Sequence, residues 1–573
     1  MKWVLLGIAV ISLFLIQCTQ SHKNSCVHTY CNPVSISYRF CIDTPSRREA
    51  ADPTVVRYKN TYYLFASKSG GYWSGTDLGT WKFIPCTTLP TEDYAPTAIV
   101  IGDTLYFMAS SHSKNVIYKT TQPETAQWYI ACDSIEIPMW DPAFFLDDDN
   151  SLYVYWGCSN QNPIYGAKID YTNNFKIIGE PKALLNAKTS EHGWEVPGDY
   201  NTLNNQSPWI EGAWVNKHNG TYYLQYSGPG TEFMSYCDAV YVADSPLGPY
   251  SIAQHNPFSY KPAGFINGAG HGNTFADVYG NMWHIATGTI SQKHMFERRL
   301  VLHPVQFDNE GTMYSYTKFG DYPHFLPHEK KSKPSDLFTG WMLLSYNKKV
   351  QVSSTIAGYE PANMTDENIR TYWAAQTGNK GEFAYIDLGE EYDVYALQIN
   401  FAEHATSQLG RNSTLGFAYT IEYSLDGSTW ELLIDKSKNK EDISHDYIQL
   451  PNKQVCRYVR ITNISVVDGV FALSGFRVFG KGNGAVPQAV DGFAAQRAMG
   501  NKKQVTLSWK SVPSATGYVI SYGSHKDRLY SHYMVYADTS VVISSLSTTQ
   551  AYYYSIEAFN EHGVSKVVMG SDK

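Results

Sequence analysis

The chain has 573 residues, enough for three or four domains at about 150 residues each, and a formal net charge of −8. No run of Lys or Arg accompanies that charge, which sets nucleic acid aside as a partner. Aromatics reach 14% of residues, with 44 Tyr and 14 Trp, against only 17% charged; this suits β-structure and carbohydrate contact, although burial in half-covered strands accounts for most of the rings.

Lys2 and the apolar run over residues 3–16 predict a secretory signal peptide. Leu15, Ile16, Gln17 and Cys18 resemble a bacterial lipobox, so residues 1–18 are expected to be a lipoprotein signal that leaves Cys18 lipidated. No second apolar stretch has membrane-spanning length. The expectation is therefore an exported protein whose only membrane attachment is an acyl anchor in the outer membrane. The other cysteines, Cys26, Cys31, Cys41, Cys86, Cys132, Cys158, Cys237 and Cys456, show no C-x-x-C pair or Cys/His cluster at zinc spacing. An exported chain permits disulfides, but isolated buried thiols are the default for those in the repeats described next.

One hairpin recurs five times between residues 50 and 330. Its second strand reads TYYLFAS (61–67), TLYFMAS (104–110), SLYVYWG (151–157), TYYLQYS (221–227) and NMWHIATG (281–288), each after a turn rich in Asn, Asp or Gly. The starts lie 43, 47, 70 and 60 residues apart, close to one four-stranded propeller blade each. The repeat predicts an all-β, five-bladed β-propeller over residues 40–330.

Nine or ten residues before each start, at the beginning of the preceding strand, stand Asp52, Ala95, Asp141, Glu211 and His271. Innermost strands of a propeller ring its axis, so equivalent positions converge on one funnel. A turn would account for one Asp-Pro pair, but not for three acids in register. Cleaving a glycosidic bond needs an acid for the leaving oxygen and a carboxylate that acts at the anomeric carbon. A third carboxylate nearby raises the acid's pKa by repulsion.

These local motifs resemble glycoside hydrolase family 43: ADPTV (51–55), the turn with Ser74, Asp77, Leu78 and Trp81, WDPA (140–143), IEGAW (210–214) and GHG (270–272). The likeness covers about residues 40–325 and departs at Ala95-Pro96-Thr97, where many members carry an acid after the Pro. It implies an inverting mechanism in which Asp52 is the general base, Glu211 the general acid, and Asp141 tunes that acid and orients substrate. Inversion requires the base and acid carboxyls to lie roughly 6.5–9.5 Å apart. No cofactor is required, but the resemblance admits a calcium ion in the channel at His271; the ordinary alternative is a hydrogen-bonded structural His. Asp147, Asp148 and Asp149 lie in a hairpin turn and read as a solvated loop. Trp73 and Trp194, in predicted loops, are candidates for stacking on a sugar, with core packing as the alternative. Arg298, beside Arg299, is a candidate for reaching substrate or Asp52, with a surface ion pair as the alternative.

Residues 335–480 change pattern. TYW (371–373), YIDLG (385–389), YSLDGSTW (423–430) and RYVRI (457–461) resemble the discoidin, or coagulation factor type C, jelly roll, used both for carbohydrate binding and as a spacer. A Gly-rich joint at 480–484 leads to residues 488–573, where VTLSW (505–509), GYVI (517–520) and YYYSI (552–556) resemble an immunoglobulin-like fibronectin type III sandwich with a spacer or docking role.

The expected function is hydrolysis of terminal or internal arabinofuranoside, xyloside or galactan/arabinan linkages in plant-type polysaccharide side chains. The alternatives are a non-catalytic surface glycan-binding protein that uses the propeller as a lectin, and an adhesin acting through the C-terminal modules.

Overall fold

The computed structural model describes residues 28–571 apart from 112 and 413. Cys18, the signal segment and Cys26 lie outside the described residues. Five four-stranded antiparallel meanders fill residues 54–315. The first blade comprises Thr54–Tyr58, Thr61–Phe65, Gly71–Gly75 and Lys82–Pro85. The other inner strands are Thr97–Ile101, Ala143–Leu146, Glu211–His218 and Asn267–Ala276. Each lies against its neighbour, and the last against the first.

The repeated second strands are apolar on both faces because each blade is sandwiched between two others. Tyr62 and Leu64 pack towards blade five with Trp283 and Leu300. Tyr63 and Phe65 point the other way, into a core shared with Phe107 and Trp128 of blade two. Alternation along one strand thus supplies two separate cores. A side chain closes the ring: Asn273 of blade five accepts the Val55 N–H at 2.9 Å and donates to the Val55 carbonyl at 3.0 Å, imitating a strand partner.

Residues 342–481 form an eight-stranded network around Trp373, Phe401, Phe471 and Phe476. It is bound to the propeller by buried charge: Arg48 reaches Glu403 at 2.8 Å and Asp442 at 2.7 Å, and Arg299 Nε lies 2.8 Å from His445. Residues 494–571 form a sandwich of a three-stranded and a five-stranded sheet around Leu507, Trp509 and Tyr518. It too lies on the propeller, where the Gly193 N–H donates to the Leu546 carbonyl and the Thr548 N–H to the Glu191 carbonyl, both at 2.9 Å. The seven described cysteines are all free thiols, and all but Cys158 are buried.

Candidate active site

Asp52, Ala95, Asp141 and His271 share a left-handed backbone, with φ of 51°, 47°, 50° and 44°. In blade four the left-handed residue is Gly212, φ 61°, so Glu211 stands one residue before the common position. Such conformations cost about 1–2 kcal/mol for a residue with a side chain, and here each is held by a neighbour. A hydroxyl ending the preceding blade's second strand receives the N–H: Thr287 from Asp52 at 2.9 Å, Ser67 from Ala95 and Ser110 from Asp141 at 2.8 Å, Ser227 from His271 at 2.6 Å.

These clamps bring the acids together. His271 Nδ1 lies 3.3 Å from Asp52 Oδ1, 3.7 Å from Asp141 Oδ2 and 4.0 Å from Glu211 Oε1. His271 is anchored beneath by Asp238, whose Oδ1 accepts its N–H at 2.9 Å and whose Oδ2 lies 2.9 Å from His284 Nε2. Both flanking glycines are enforced by contact: a Cβ at Gly270 would sit 2.7 Å from the Tyr236 ring, and one at Gly272 only 2.1 Å from the Ile285 carbonyl.

The three carboxyls are dressed differently. Asp52 accepts from Arg298 Nη1 at 3.0 Å and from Ser67 Oγ at 2.6 Å. Burial pushes its pKa up, but Arg298, His271 and Ser67 outweigh burial and hold it below the ordinary value. Asp141 accepts from Ser110 Oγ at 3.1 Å. Burial raises its pKa first; His271 opposes this, Glu211 and Asp52 add to it, and the result is about 7. Glu211 accepts from the Tyr236 hydroxyl on Oε1 and from the Cys158 thiol on Oε2 at 3.1 Å. For His271, burial works against charge, but Asp52, Asp141, Glu211 and Asp238 prevail and raise its pKa. Negative charge is therefore fixed at Asp52, while a proton is retained beside Glu211 near neutral pH.

Two sequence expectations are corrected. Trp73 and Trp194 are fully buried and cannot stack on a sugar. Trp73 lies inside the strand Gly71–Gly75 against Phe83. Trp194 stacks on His192 at 4.4 Å and donates to the Tyr226 hydroxyl. Trp140, which precedes Asp141 in the chain, and Trp209, two residues before Glu211, are exposed. Arg298 reaches Asp52 and also donates to Glu49 at 2.6 Å. Asp147 pairs with Lys217 at 2.6 Å, which ties part of the acidic turn to the neighbouring blade. The residues around His271 do not fit a calcium ion: the ring nitrogen faces the acids. Among the described residues the one group of three candidate ligand side chains is Asp141, Cys158 and Glu211, a thiol with the acids themselves, whereas calcium takes six to eight oxygens.

Sequence reasoning missed Glu49, Cys158, Tyr236, Asp238 and the clamping hydroxyls. The hydroxyls were signalled by the Ser that ends three of the five hairpin strands and the Thr one residue before the end of a fourth, and Asp238 by a lone carboxylate in the apolar run CDAVYVA.

Residues 45–313 match the model of Glycosyl hydrolases family 43, and residues 349–473 that of the F5/8 type C domain. The chain carries a glycosyl hydrolases family 43 domain. A beta-xylosidase of Xylanibacter ruminicola is 26% identical over 137 residues, 19% of this chain and 39% of that protein. An arabinoxylan arabinofuranohydrolase of Paenibacillus polymyxa is 27% identical over 153 residues, 26% of this chain and 22% of that protein. The chain thus spans well under half the length of these curated relatives. Among solved structures, one described as a glycoside hydrolase has a TM-score of 0.46 at 18% identity, covering 75% of this chain and 97% of its own. An endo-1,4-beta-xylanase from Bacteroides thetaiotaomicron gives 0.39 at 22% identity, covering 48% and 96%. The acids Asp52, Asp141 and Glu211 all lie inside the family 43 domain.

Proposed function

We propose that the family 43 domain is an inverting glycoside hydrolase acting on arabinofuranoside, xyloside or galactan/arabinan linkages of plant-type polysaccharides. The observation that carries this reading is the convergence of Asp52, Asp141 and Glu211 within 4.0 Å of one imidazole nitrogen. Asp52, kept ionised by Arg298, takes a proton from a water at the anomeric carbon. Glu211 protonates the departing oxygen, and Asp141 holds a proton beside it until pH rises through about 7. The names of the two curated relatives favour pentose-bearing substrates.

Purified protein tested on aryl-arabinofuranoside, aryl-xyloside and aryl-galactoside should hydrolyse at least one, and proton NMR should show the inverted anomer released first. Asp52→Asn and Glu211→Gln should lose turnover and keep affinity. Glycan binding without hydrolysis by the unmutated chain would favour the lectin reading instead.

We read the C-terminal sandwich as a fibronectin type III domain. In support, the Tyr552 hydroxyl accepts the Ser547 N–H at 2.9 Å, the corner expected at the start of the sixth strand. We read Cys18 as the lipidated anchor, on the strength of residues 2–18 alone. Fatty-acid labelling of the wild type that Cys18→Ala abolishes is the expected result.

A further inference from the structure

The propeller and the F5/8 type C domain line a half-open cavity of about 330 Å³, at the lower end of the roughly 300–1,000 Å³ usual for small-molecule sites. One wall is the propeller loop with Gln292, Lys293 and Glu297; the other carries Tyr359, Asn363 and Tyr372. We propose that this cavity is a second sugar-binding subsite, which takes a neutral sugar residue of the same polysaccharide whose linkage is cut at Asp52 and Glu211. The proposal rests on the hydrolase reading above.

The wall is rigid before any ligand arrives. The rings of Tyr359 and Tyr372 stack at 4.7 Å, and His404 packs edge-on against Tyr359 at 4.3 Å while its Nδ1 lies 3.1 Å from the Tyr372 hydroxyl. Arg370, on the same wall, is fixed to the propeller through Asp199 at 2.8 Å and the Glu232 carbonyl at 3.3 Å. Fixed aromatics with polar edges lose little freedom on binding, so more of each contact appears as affinity.

The lining also selects the ligand class. Glu297 and Glu403 oppose an anion, while Arg299, Arg370 and Lys293 oppose a cation. Burial raises the pKa of the Tyr372 hydroxyl, and Tyr359, Glu297 and Glu403 raise it further. The buried Arg370 Nε has no partner among the described residues. Lining groups of both signs, donors and acceptors together, suit a neutral molecule rich in hydroxyls.

The cavity and the catalytic funnel are two sides of one element. The strand Arg298–Phe307 opens with Arg298 directed at Asp52 at 3.0 Å, and the next residue, Arg299, turns into the cavity wall, as alternation along a strand requires. Phe296, beside the lining residue Glu297, places its ring 4.9 Å from the Arg298 guanidinium carbon.

The test compares two substrates on the full chain: an aryl glycoside, which fills the catalytic funnel alone, and arabinoxylan polymer. Tyr359→Ala should raise KM for the polymer about five- to tenfold, the loss of one or two net polar contacts, with aryl-glycoside kinetics unchanged. Gln292→Ala, on the opposite wall, should show the same split and covers the case in which Tyr359→Ala fails to fold. Equal effects on both substrates, or no effect on the polymer, overturn the subsite. Calorimetric titration of an arabinoxylan oligosaccharide into Asp52→Asn, with and without Tyr359→Ala, runs alongside. If the wild type hydrolyses nothing, the hydrolase reading fails, and identical affinities in that titration overturn the cavity independently.

Discussion

Replacing Arg298 with Met tests how Asp52 is kept charged. Arg298 spans two buried carboxylates, reaching Asp52 at 3.0 Å through Nη1 and Glu49 at 2.6 Å through Nη2. Removing one partner of a buried ion pair costs about 3–5 kcal/mol because the remaining charge is left unpaired. Two carboxylates lose a partner here, but Asp52 keeps His271 at 3.3 Å and Ser67 at 2.6 Å, and Glu49 keeps Arg47 at 3.7 Å, so the loss should lie at the lower end. In the wild type the depressed pKa of Asp52 contributes stability that is present above the unfolded value of 3.8 and lost as pH falls through the folded value. The variant lacks that contribution, so the gap in stability should be widest near neutral pH and narrow towards acid. The same change should move the acidic limb of kcat/KM upward by one pH unit for each ~1.4 kcal/mol of attraction removed. Arg298→Lys restores a charge that cannot span both acids, and should recover part of the limb but little of the stability. Urea denaturation and kcat/KM on an aryl glycoside, each followed from about pH 4 to pH 8, give both quantities. A folded Arg298→Met protein with an unmoved acid limb would show that His271 and Ser67 set the charge on Asp52 without Arg298.

Asp141 carries the opposite sign. Its raised pKa contributes stability that is full below the unfolded value of 3.8 and lost as pH rises through about 7. Asp141→Asn should flatten the decline in urea midpoint across that window, and an unchanged decline would place the proton elsewhere. Trp194→Ala and Trp73→Ala should each cost about 3–5 kcal/mol, as large core deletions do, with KM per folded molecule unaltered; a raised KM at an unchanged melting temperature would restore the sugar-stacking role. Gly193→Val places a Cβ 2.4 Å from the Ser544 carbonyl and 2.7 Å from that of Leu546, and neither backbone group can yield. It should lower stability by about 1–3 kcal/mol and expose the edge of the C-terminal sandwich to proteolysis. Wild-type protection there would show that the contact carries no load.

The blade repeat was legible because each hairpin strand feeds two cores, which leaves an unbroken apolar run that turn residues punctuate at every blade. The acids were legible for the same reason: a shared offset from a repeated strand survives insertions of any length elsewhere. Trp73 and Trp194 were misread because loop and strand were separated by local composition. The glycines at 70 and 71 look like a loop, yet Gly71 opens a strand whose neighbours leave no room for a side chain: a Cβ there would meet the Ile84 carbonyl at 2.3 Å. Nor could local sequence show that Trp194 is covered, since its ring packs in a core with Tyr155, Ile164, Leu185 and Tyr226, drawn from two blades. Cys158 and Tyr236 were invisible for a different reason. Their role depends on Glu211 standing one residue off the common position, a shift produced by the bulge after Glu211 and not by spacing.

Glu211 is also held unlike its partners. Four inner-strand positions have their N–H clamped by a hydroxyl from the preceding blade, but blade three ends its strand in Gly157, which has none. A backbone bridge takes its place, Ser159 and Ile210 exchanging hydrogen bonds at 3.1 Å. The carboxyl of Glu211 is then fixed at Oε1 by a phenol, and at Oε2 it faces only a thiol, the weakest donor among the side chains present. Asp52, by contrast, receives a guanidinium and a hydroxyl on its two oxygens. Strong donors stabilise a carboxylate and lower its readiness to hold a proton. Asp52 is thus wrapped by two strong donors, whereas Glu211 meets one strong donor and one weak one, a difference that accompanies the glycine at 157 where the other blades have Ser or Thr.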